Sequence, residues 1–170
     1  MEEKKLRTLR LTAKALGIAG SALILCALVL ECCSLTGSAA GTRSVTLLDF
    51  IGPKMITAFG LVEMSIVFSL VNYAVPQILT GSFAGIWAGF ICREILGNPG
   101  ASIGPGVYVF ILSAVLILAS GILFAVAKSK TPVTDDRKSK LFRKLEVFCS
   151  AALGLSIVLI CVFEVLKIHI

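Results

Sequence analysis

Charge is scarce in this chain: charged side chains make up 15% of its 170 residues, against 57% hydrophobic ones. Soluble domains carry roughly 25% charge. A globule of this size needs a polar skin that so few charges cannot supply, so a soluble enzyme or signalling domain is excluded. Histidine occurs once, at His169, which excludes a multi-histidine metal site and a buried Ser-His-Asp triad. There is no Cys-x-x-Cys pair, no glycine loop followed by a phosphate-binding lysine, no H-E-x-x-H and no G-x-S-x-G. Neither Asn72 nor Asn98 heads an N-x-[ST] glycosylation sequon. The pattern points to a non-catalytic protein and calls for no cofactor and no metal.

What remains is apolar sequence in long runs, with a mean hydropathy of +0.98, as expected when the solvent is lipid. The net charge of +6 does not read as a nucleic-acid surface, because 12 of the 16 Lys and Arg fall in two short segments beside apolar runs. Lys4, Lys5, Arg7, Arg10 and Lys14 form the first; Lys128, Lys130, Arg137, Lys138, Lys140, Arg143 and Lys144 form the second. Both fit the positive-inside pattern, and the second is expected to contact anionic lipid heads.

The expected fold is an all-α, polytopic helical membrane bundle, a single domain over 15–170 behind a basic cytoplasmic tail at 1–14. Five spans are predicted at about 15–35, 56–75, 77–95, 106–127 and 147–166, with a basic inner loop at 128–145. The region Met55–Cys92 is about twice the length of one span, so it must fold back. Pro76 places the turn near Val75–Gln77, with Thr80–Ser82 as the fallback. Gly97-Asn98-Pro99-Gly100 marks the next turn. Parity supports the division, because an even number of crossings must separate two basic segments that face one compartment. A re-entrant hairpin over 55–92 satisfies the same parity with three spans. A cleavable signal ending at Ser38-Ala39-Ala40 would leave four.

Two features stand out within the spans. Gly81-x-x-x-Gly85-x-x-x-Gly89 stacks small residues along one helix face, which lets another backbone approach closely in lipid. Weaker pairs recur at Gly17/Ser21, Gly121/Ala125 and Ser150/Gly154. Trp87 lies about 160° round from the mean of the glycine stripe, free to face lipid or another neighbour. Glu63 stands inside the second span, where an ionised carboxylate costs roughly 2.5–3.5 kcal/mol. It therefore needs protonation, a hydrogen bond or a partner such as Arg93, snorkelling from the adjacent helix.

The cysteines carry weaker signals. Cys32 or Cys33 with Cys92 could form a disulfide near the outer face, and Cys149 is a candidate for S-acylation. Asn72 belongs to a turn rather than to a site. The leading expectation is an interaction or accessory subunit, joined to a membrane-protein partner or to its own copies through glycine faces. The alternative is a transport or channel component using Glu63.

Overall fold

A computed structural model describes residues 2–37, 55–97, 104–130 and 137–167. Five helices account for almost all of them: α1 Glu2–Gly37, α2 Met55–Val71, α3 Ala74–Gly97, α4 Pro105–Ser129 and α5 Arg137–Lys167. There is no strand among the described residues. Four helices are long and apolar enough to cross a membrane, and α2 is a shorter apolar helix. Its 17 residues reach about 25 Å, short of the ~30 Å hydrocarbon core.

Both basic segments are more helical than the sequence reading supposed. The tail is the first turns of the 36-residue α1, and Arg137–Lys144 opens the 31-residue α5 rather than lying in a loop. Arg, Lys, Leu and Phe impose no break, so each helix runs on past the apolar stretch that packs it.

The turn between α2 and α3 corrects the expected position near Val75–Gln77, and the Thr80–Ser82 fallback with it. Asn72 adopts a left-handed φ of 61°, which asparagine tolerates better than most residues. The Tyr73 N–H then donates to the Phe68 carbonyl at 3.0 Å, and the Phe68 and Tyr73 rings stack at 6.4 Å. A left-handed residue, a six-to-one hydrogen bond and an apolar contact across it form a Schellman C-cap. Pro76 is the third residue of α3. A first-turn N–H has no intrahelical acceptor, so the missing proton leaves no helical bond unmade.

α4 is the central element, packed antiparallel against both α1 and α3. Glycine makes both contacts possible. A Cβ on Gly20 would stand 2.7 Å from Ile117 Cγ1, one on Gly81 would stand 2.6 Å from the Leu118 nitrogen, and one on Gly121 2.7 Å from the Ile78 nitrogen. Trp87, Phe110, Ile24, Ile91 and Ile117 fill the interior around these crossings. Outside, Leu70, Leu112, Val115, Phe148 and Leu155 are exposed. An apolar exterior over an interior that holds polar groups suits a lipid solvent.

Ala13, Ala74 and Phe124 pack together. This brings the start of α1, the α2–α3 turn and the end of α4 to one end of the bundle. Lys14 and Lys128 flank that cluster in sequence, so both basic segments emerge at the same end of the bundle, its basic end. The Ser38-Ala39-Ala40 cleavage candidate lies outside the described residues.

Candidate functional site

The glycine stripe does not act as one face. Gly81 is buried against the Leu118 backbone, whereas Gly85 and Gly89 are exposed, with nothing within 4 Å of where a Cβ would stand. A four-residue step advances about 400° on an α-helix, so each glycine is turned about 40° from the last. By Gly89 the stripe has rotated out of the α3–α4 contact. Trp87 lies on the opposite side, 1% exposed and stacked on Phe83 at 5.8 Å. Its burial and the outward turn of Gly85 are two aspects of one helix rotation.

The weaker small-residue pairs divide in the same way. Gly17 sits where Ser69, Gln77 and Ser120 converge, and a Cβ there would meet the Ser69 hydroxyl. Ser21 is buried and donates back to the Gly17 carbonyl at 2.9 Å. Gly154 meets open space, and the half-buried Ser150 donates to the Glu146 carbonyl at 2.6 Å.

Glu63 is exposed on the outer side of α2, about 160° round from the buried Ser65. It has no hydrogen bond or ion pair among the described residues. The expected Arg93 contact is not made, and depth explains why. Measured from the α2–α3 turn, Glu63 lies roughly 13 Å along α2, while Arg93 lies roughly 30 Å along α3. That gap exceeds an arginine's reach, and Arg93 is itself exposed.

The bundle interior holds a polar group that the sequence reading assigned to a turn. The Gln77 amide Nε2 donates to Ser65 Oγ and Ser69 Oγ, both at 3.1 Å, tying α3 to α2. Ser120 Oγ donates to the Ala13 carbonyl at 2.7 Å, tying α4 to α1. Thr80 donates to the Pro76 carbonyl at 2.8 Å. All five side chains are fully buried, and Gln77 Oε1 has no hydrogen-bond partner among the described residues. The available signal was the Ser65/Ser69 spacing of four residues in an apolar run, which places two hydroxyls on one helix face.

At the basic end stands Glu146, which is not among the candidate residues expected from the sequence. Its side chain is buried, with Oε1 accepting from the Ala74 N–H at 3.0 Å and Oε2 paired with Lys128 Nζ. A carboxylate thus satisfies the first N–H of α3, where the helix dipole favours negative charge. Burial raises the Tyr73 phenol pKa above its ordinary value, with Cys149 and then Glu146 adding to the effect. Ala74, Val75, Lys128, Arg143, Glu146 and Ser150 line an open cleft of about 500 Å³ here.

Of the other expected residues, Lys128, Lys130, Lys140, Arg143 and Lys144 are exposed. The side chains of Arg137 and Lys138 lie outside the described residues. Cys149 and Cys92 are half-buried free thiols, and the side chains of Cys32 and Cys33 lie outside the described set. No group of three His, Cys, Asp or Glu suited to a metal occurs among the described residues. Searches against family models, curated proteins and solved structures found no match to this chain.

Proposed function

We propose that this chain is a non-catalytic multi-pass membrane protein that works by docking onto other membrane helices, as an accessory subunit or as an organiser of an assembly. The observation that supports this is the outward turn of Gly85 and Gly89, whose Cβ positions have nothing within 4 Å. Helix association in lipid depends on close van der Waals packing rather than on hydrophobic burial, and an exposed glycine pair offers that approach to a second helix. In this reading the basic end faces the cytoplasm by the positive-inside rule. Lys128, Lys130, Lys140, Arg143 and Lys144 then meet anionic lipid heads. The alternative, a transport or channel component, needs the outward-facing Glu63 to line a polar path between copies in an oligomer.

Purification in mild detergent, with mass measurement of the particle and of every co-purifying chain, tests the reading. The expected result is a particle larger than one copy that loses its companion in Gly85→Leu. A strict monomer, or an assembly indifferent to Gly85→Leu, overturns it.

A further inference from the structure

We infer that the outer face of α2 is a second docking surface, fitted to a membrane-spanning helix of another protein that carries a lysine or arginine near its midpoint. The inference deepens the assembly reading by naming a partner chemistry. The face consists of exposed Phe59, Val67 and Leu70 around Glu63, an apolar ridge with one carboxylate. Glu63 is the ninth of the 17 residues of α2, which is as far from either end as the helix allows. A carboxylate facing lipid at that depth is costly to leave ionised and unpartnered. The buried Ser65 and Ser69 lie on the other side of α2, and the bundle leaves Glu63 with no partner among the described residues.

Charge complementarity selects the occupant. Among the described residues, the apolar stretches of a second copy offer no cation, because no Lys or Arg lies within 15–30, 55–92, 104–127 or 147–163. Two copies facing each other would instead bring two carboxylates together. A helix from a different protein with a cation at mid-depth neutralises Glu63 and covers the flanking apolar side chains.

The test uses the full chain in phosphatidylcholine vesicles with labelled synthetic leucine-rich spanning peptides, one with a central lysine and one with a central leucine. Energy transfer measures association. The expected result is about 5- to 30-fold tighter association of the lysine peptide, the range that polar contacts between membrane helices give in peptides. Glu63→Leu should abolish that preference, and Glu63→Gln should reduce it. Emission from Trp87, the chain's one tryptophan and a buried one, confirms that each variant keeps its fold. Equal binding of the two peptides overturns the inference, as does a preference that survives Glu63→Leu. Self-association lost in Glu63→Leu without any lysine preference also overturns it, in favour of a second copy. If the preference fails while a Gly85-dependent companion still co-purifies, the assembly reading stands alone. If the preference holds in a protein purified as a strict monomer, only the assembly reading falls.

Discussion

α4 and α5 are both apolar and both long enough to cross a membrane, yet 39% of the apolar stretch of α4 is buried and only 11% of that of α5. Hydropathy does not separate them. The position of small residues does. On α4, Ser113, Ser120 and Gly121 meet Gly20, Ala13 and Ile78, so both neighbouring backbones come close. On α5, Ala151 and Ala152 are exposed and Gly154 meets open space. α5 is held instead by a polar tie at its basic end, Glu146 to Ala74 and Lys128, and by Leu153, Ile157 and Ile160 further along. In lipid there is little gain in hiding one apolar surface against another, so a helix without aligned small residues stays at the edge.

Breaking the α3–α4 contact should have the largest effect. In Gly81→Ala the added Cβ meets the Leu118 backbone, which cannot move aside as a side chain can. Overpacking of this kind costs about 1–3 kcal/mol, read as a lower unfolding midpoint in detergent by Trp87 emission. Next comes the tie to α5. Glu146→Ala leaves the Ala74 N–H without its carboxylate acceptor and removes the ion pair with Lys128, and loss of a helix cap costs about 0.5–2 kcal/mol. Protease cleavage of the α4–α5 connection should accelerate while Trp87 emission stays unchanged, because the α1–α3–α4 packing does not pass through Glu146.

A smaller loss is expected for Ser69→Ala, which removes one of the two acceptors of Gln77. Hydrogen bonds between membrane helices average about 0.6 kcal/mol, visible in the same unfolding assay. Smallest is Gly154→Ala on α5. With nothing near its Cβ position it should be neutral or gain up to about 1 kcal/mol from helix propensity. A large loss there would mean that α5 packs as closely as α4, and the contrast would collapse.

The helical class, the apolar stretches and the break before α4 were legible, since they depend on local composition and on turn residues. The position of the α2–α3 turn was less so. Proline drew attention to Val75–Gln77, but a proline in a first helical turn breaks nothing, and the decisive residue was Asn72 in its left-handed cap. Gln77 was misassigned for the same reason. Once the turn moves back to Asn72–Tyr73, Gln77 falls inside α3 and faces Ser65 and Ser69.

The sequence by itself determined that these residues form apolar helices, that two basic segments bracket them, and that Glu63 and the glycine stripe lie within the runs. Each of these follows from residue type and spacing along one helix. Only the tertiary structure decided which glycines are used. Helix rotation is set by the fit of Trp87 and Phe83 into the interior and of Gly81 onto Leu118, and the 40° drift per four residues then carries Gly85 and Gly89 outward. The same holds for Glu63: spacing gave its depth, and the packing of Ser65 inward turned it away from the bundle.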